Sequence, residues 1–138
     1  MKRNLALTLG MLATLAAAAL WHGPGGAAAR FTGRAELLMR TTLDHYEMPG
    51  VAVRMQRDPL TRRLRFDGAA DDFQRGEILR IGREVPGIAD TAWVDQRAAR
   101  ALPLLAEVML MALASFAIGA VLAYIAALRR RARDAIYE

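Results

Sequence analysis

VAVRMQRDPLTRRLRFDG, residues 51–68, decides the fold of this chain. Val51, Val53 and Met55 alternate with Ala52, Arg54 and Gln56, which puts the two sets on opposite faces of a strand. Asp58-Pro59-Leu60-Thr61 has the composition of a turn. Alternation resumes over Arg63, Leu64, Arg65 and Phe66. The two runs therefore read as an antiparallel hairpin that ends at Gly68.

Upstream of the hairpin, a helical pattern begins at Thr32. Ala35, Met39, Leu43 and Tyr46 recur on one face, with Leu38 and Thr42 beside them, until Met48-Pro49-Gly50 stops the helix. Downstream, Asp71 is an N-cap with Gln74 three residues on, a capping-box spacing. Phe73, Ile78, Ile81 and Val85 then form an apolar face up to Pro86-Gly87. Gly76 and Gly82 each weaken that helix by roughly 1 kcal/mol relative to Ala, and close packing on a sheet is a reason to keep them. Ile88–Val94 reads as a third, short strand, and Asp95–Arg100 as a polar connection. The expected fold is α+β in the order α-β-β-α-β: two helices on a three-stranded mixed sheet. Its expected core is Val51, Val53, Phe66, Ile78, Ile81, Val85 and Ile88, with Trp93 partly buried.

Two apolar runs flank this segment. Leu5–Trp21 has 17 residues without a charge, and Val108–Leu128 has 21. About 20 apolar residues span a bilayer core, with a lower limit near 17. Pro103 suits the first turn of the second run, and Tyr124 and Trp21 suit interfacial positions. The expected organisation is an N-terminal signal-anchor helix over residues 1–22, a domain over 30–96, a transmembrane helix over 102–128 and a basic tail over 129–138. Gly23-Pro24-Gly25-Gly26 is a linker. A basic start and Ala27-Ala28-Ala29 before Arg30 also fit a cleavable signal peptide, but 17 residues is long for its apolar region, so a retained anchor is favoured. Small residues recur at helical spacing, as Ala6, Gly10, Thr14 and Ala18 in the first run and Ser115, Gly119, Ala123 and Ala127 in the second. Such stripes let helices approach closely in lipid. Neither run holds an Asp, Glu, Lys, Arg or His, which argues against a transport path.

The net charge is +5 and the pI about 10.6. The distribution excludes a nucleic-acid stripe: residues 22–101 carry 13 Arg against 11 acidic residues. The excess sits beside the apolar runs, at Lys2 and Arg3 and at Arg129, Arg130, Arg131 and Arg133. By the positive-inside rule both ends are cytoplasmic and the middle is translocated. With no Cys and a Met-Lys-Arg start, the simplest placement is a bacterial inner membrane with a periplasmic domain.

The side-chain inventory argues against catalysis. There is no Cys, and Ser115 is the only Ser. His45 beside Asp44 and Glu47 lacks the converging ligands of a zinc site, and Asp67, Asp71 and Asp72 lack EF-hand spacing. No catalytic, cofactor or metal residues are expected. Arg62, Arg63 and Arg65 are candidate contacts for headgroups or an acidic partner, and a solvated edge explains them equally well.

Leu37–Val94, 58 of 138 residues, resembles a BON domain, a small bacterial periplasmic module named from osmotic-shock and nodulation proteins. The resemblance rests on Val51-Ala52-Val53, Leu64-Arg65-Phe66-Asp67-Gly68, the helix over Phe73–Val85 and the exit Val85-Pro86-Gly87-Ile88. It departs at Thr91, where the family has an apolar residue, and at the helix glycines. The resemblance implies a non-enzymatic module that binds phospholipid surfaces or other proteins. The expected function is a structural subunit of a larger membrane complex or of a homo-oligomer. The alternative is a periplasmic phospholipid-surface binder that supports envelope integrity. Expected partners are thus membrane lipids and protein, with no nucleic acid and no cofactor.

Overall fold

In the computed structural model, which describes residues 2–96 and 101–134, the chain forms α1 (Lys2–His22), α2 (Ala27–His45), β1 (Val51–Arg57), β2 (Leu60–Gly68), α3 (Asp72–Glu84), β3 (Asp90–Trp93) and α4 (Leu104–Asp134). β2 is the central strand, antiparallel to β1 and parallel to β3. The fold is α+β with a mixed sheet, and α1 and α4 are long and apolar enough to cross a bilayer.

Period-two alternation sets the sheet's two faces. Val53 pairs with Phe66 and Met55 with Leu64, while Thr91 and Trp93 sit opposite Leu64 and Phe66 on β3. These side chains and Ala35, Met39, Leu43, Ile78 and Val85 from the helical side make one buried core. Val51, Val53, Phe66, Ile78 and Val85 are buried as expected, and Ile81 and Ile88 are partly buried against them. The Asp71 capping box forms in full: Gln74 N donates to Asp71 Oδ1 at 2.7 Å, and Asp71 N donates to Gln74 Oε1 at 3.1 Å. Gly68 has φ +133°, and a Cβ there would collide with the Gly50 carbonyl, so the hairpin end needs glycine.

Side chains take up several donors along the open edges of the sheet. Met55 N donates to Glu36 Oε1 at 2.8 Å on the β1 edge. On the β3 edge Thr91 N donates to Asp90 Oδ1 at 2.8 Å and Trp93 N to Gln96 Oε1 at 3.2 Å. Donors used this way are not offered to another strand.

Several expectations need correction. α2 starts at Ala27 rather than Thr32, because the Ala-rich stretch after Gly26 propagates helix without an apolar pattern. Tyr46 and Phe73, expected on core faces, are 56% and 79% exposed. Tyr46 lies one residue past α2, and Phe73 lies in the first turn of α3, where each leaves its helical face. β3 is shorter than Ile88–Val94, since Ile88 and Ala89 lead into the strand and Val94 turns out of it. Trp93 is only 2% exposed because its ring packs on Phe66 and under the Arg75 guanidinium, 4.7 Å from the ring centre. The helix of the second apolar run continues through Arg129–Arg133 instead of ending at Leu128. Part of the Asp95–Arg100 connection, residues 97–100, and residues 135–138 of the tail lie outside the described residues.

The chain path gives this domain two poles. α1 and α2 meet at their junction, where the Arg30 guanidinium lies 5.5 Å over the Trp21 ring. Near that junction lie the hairpin tip, with Arg57 and Leu60 beside Ala28 and Thr32, and Gly87 against Phe31. α2 then carries the chain away over roughly 28 Å, 1.5 Å for each of its 19 residues. The far pole holds the end of α2, the start of β1, the end of β2 and the start of α3.

Candidate interaction surfaces

An apolar groove opens at the far pole between α2 and α3. Met39 and Leu43 from α2, Tyr46 and Met48 after it, and Ile78 and Ile81 from α3 form its walls, with Phe73 at the lip. The groove exists because the two helices follow the diverging edges of the sheet: α2 packs on β1 and α3 on β3. Arg80 lies on the rim, ion-paired to Glu77 at 2.8 Å and Glu84 at 3.0 Å. The Glu77 hydrogen bond, followed by its charge, raises the Arg80 pKa above the usual arginine value. Asp44, Glu47 and Asp72 flank Tyr46 and Phe73 in sequence and make no ion pair among the described residues. The groove is thus apolar within, with the paired Glu77 and Arg80 in its lining and three acidic residues next in sequence to its aromatic residues. Sequence reasoning missed it by placing Phe73 and Tyr46 on the apolar faces of their helices; the two large aromatics at helix ends were the available signal.

The three hairpin arginines have separate fates. Arg63, expected at a solvated edge, is 2% exposed. Its Nε donates to Asp90 Oδ2 at 2.7 Å and its Nη1 to Gln56 Oε1 at 3.3 Å, so it is withdrawn from any headgroup or partner. The Arg62 guanidinium pairs with Glu107 at 2.9 Å, joining β2 to the first turn of α4. Arg65 Nη2 donates to the Val94 carbonyl at 2.9 Å. Arg65 also faces Arg54 across the β1–β2 ladder on the outer side of the sheet.

α1 and α4 run antiparallel and in contact. Gly10 and Thr14 lie on the inward side of α1, half-buried with Ala18, and a Cβ on Gly10 would stand 3.2 Å from Phe116. On α4, beyond its first turns, Ala112, Phe116 and Ala120 are half-buried at four-residue intervals. Ser115 is exposed, and a Cβ on Gly119 would meet nothing within 4 Å. Ala123 and Ala127 line a gap between the ends of the two helices remote from the domain. The structure thus brings Gly10 to Phe116 and leaves Ser115 and Gly119 facing outward.

Among the described residues no group of His, Cys, Asp or Glu converges to hold a metal ion. His45 packs edge-on against Tyr46, with ring centres 5.4 Å apart. Comparison with protein-family models, curated proteins and solved structures finds no match to this chain.

Proposed function

We propose that this chain is a non-enzymatic subunit of a bacterial inner-membrane complex. α1 and α4 anchor it, a BON-like domain stands in the periplasm, and the basic end of α4 lies in the cytoplasm. The alternation of charge and apolar runs supports that topology. One observation carries the interaction reading: the apolar groove with exposed Phe73 at the pole remote from α1 and α4. The groove lies toward the end of α2 opposite its junction with α1. A protein segment is its natural occupant, and the uncompensated Asp44, Glu47 and Asp72 favour one with basic residues beside its apolar anchors. Capped strand edges speak against strand addition as the mode of contact. The lipid-surface alternative is the weaker reading, since Arg62 and Arg63, two of its three arginines, hold Glu107 and Asp90.

Photo-crosslinking in native membranes tests this. A crosslinker at Phe73 should give one defined protein adduct, lost when Asp44, Glu47 and Asp72 are all changed to Lys. A crosslinker at Ala52, exposed on the outer side of the sheet, should not give it. An adduct with a second copy would assign self-assembly. Lipid adducts alone, or equal yields from Phe73 and Ala52, would refute the groove as the contact.

A further inference from the structure

The gap between α1 and α4 at the end remote from the domain is a cavity of ≈ 530 Å³. That is within the range of about 300–1,000 Å³ typical of small-molecule sites. Along α4 its lining runs from Ala120, Ala123 and Tyr124 through Ala127 and Leu128 to Arg131, with Asn4 and Leu7 on α1. Alanines make the cavity: their side chains are too short to fill the space between two helices that touch higher up, at Gly10 and Phe116. From Ala120 to Arg131 the helix rises roughly 16 Å, close to half of the roughly 30 Å hydrocarbon core. Arg131 stands three residues beyond the last apolar position, Leu128, at the level where headgroups begin. Among the described residues no carboxylate lines the cavity.

We propose that this cavity seats one anionic phospholipid. An acyl chain lies against Ala120, Ala123 and Ala127, and the headgroup phosphate is bound by Arg131. The apolar length matches one leaflet, and among the described residues the only formal charge in the lining is positive and at the headgroup end. A guanidinium offers a planar pair of donors matched to phosphate. This site is separate from the groove at Phe73 but rests on the reading that α1 and α4 cross the bilayer.

Native mass spectrometry of the full chain released from detergent micelles tests the site, with phosphatidylglycerol and phosphatidylcholine added in competition. The unaltered protein should retain one phosphatidylglycerol per chain, preferred about tenfold, the scale of one charge-assisted contact. Arg131→Gln should abolish the preference while leaving residual binding of either lipid. Ala123→Phe should fill the cavity and abolish retention of both. Arg133→Gln, outside the lining, should keep the preference. Extraction of the unaltered protein from membranes at alkaline pH would overturn the bilayer reading and this site with it. An integral protein that retains no lipid, that binds the two lipids equally, or that keeps phosphatidylglycerol after Ala123→Phe overturns the site alone. So does a dimer that Ala123→Phe dissolves, which would give the gap to a second helix.

Discussion

Arg63 Nε donates to Asp90 Oδ2 at 2.7 Å across the parallel β2–β3 ladder, from a side chain that is 2% exposed. The two residues are direct register partners at the start of β3. β3 has only four residues and is an edge strand, so its ladder alone holds it weakly. A buried guanidinium whose carboxylate lies on the neighbouring strand fixes both the presence of β3 and its register. A slip of one residue would strand the charge and turn Trp93 out of the core.

Removing the carboxylate should therefore be more harmful than removing the pair. Asp90→Ala leaves a buried cation and is expected to destabilise the domain by about 2–3 kcal/mol, below the 3–5 of a fully buried pair because Asp90 is partly exposed. Arg63→Met with Asp90→Ala removes both charges at similar volume and should recover at least half of that loss. Urea unfolding of the full chain in detergent, followed by tryptophan emission, measures both. A double variant no more stable than Asp90→Ala would remove the stranded charge as the cause.

The two glycines of α3 should respond in opposite directions. A Cβ on Gly82 would stand 3.0 Å from both Phe66 Cζ and Thr91 Cγ2, and Phe66 is fully buried with nowhere to move. Gly82→Ala is expected to cost about 1–3 kcal/mol through overpacking, more than the roughly 1 kcal/mol that helix propensity returns. Gly76 has open space, so Gly76→Ala should stabilise by about 0.5–1 kcal/mol. The same unfolding measurement decides. Equal shifts for the two variants would mean that α3 does not press on the sheet at Gly82.

Topology is tested by fusions. A reporter active only in the cytoplasm is expected to be silent when inserted after Gly68 and active after Glu138. An alkaline phosphatase fusion should show the inverse pattern. Activity of the cytoplasmic reporter at Gly68 would invert the topology and with it the periplasmic placement of the groove.

Much of the fold was legible because it follows from short-range patterns. Alternation over Val51–Met55 and Leu64–Phe66 marks the strands, and Asp71 with Gln74 marks the start of α3. The partners of charged side chains were not legible. Arg63 belongs to a run of arginines that reads as a solvated edge. Its burial depends on Asp90, 27 residues later, arriving beside it through a parallel crossover that no local pattern encodes. The groove was hidden for a related reason. Phe73 and Tyr46 keep helical spacing from core residues, yet each sits at a helix end, where the next turn that would cover it is missing. On α4 the small-residue stripe was plain in the sequence, but which side of it meets α1 depends on Phe116, which no spacing rule singled out.

That last relationship separates two glycines that look alike in sequence. Gly10 lies against Phe116, with 3.2 Å between a notional Cβ and Cε2, whereas Gly119 faces open space. Gly10→Leu adds bulk where the helices touch. It should spread α1 from α4 and weaken their association by about 1–3 kcal/mol, the scale of overpacking. Gly119→Leu keeps the segment apolar and meets nothing within the chain, so the helix pair should be unchanged. The chain has no cysteine of its own, so Leu7→Cys with Ala120→Cys, two positions lining the same gap, reports the pairing by oxidative crosslinking. Crosslinking should fall sharply on the Gly10→Leu background and persist on Gly119→Leu. If Gly119→Leu keeps the crosslink but loses a co-purifying subunit, the outward face of Ser115 and Gly119 is where that subunit packs. If it abolishes the crosslink as fully as Gly10→Leu does, α4 meets α1 through the other side and the pairing described here is wrong.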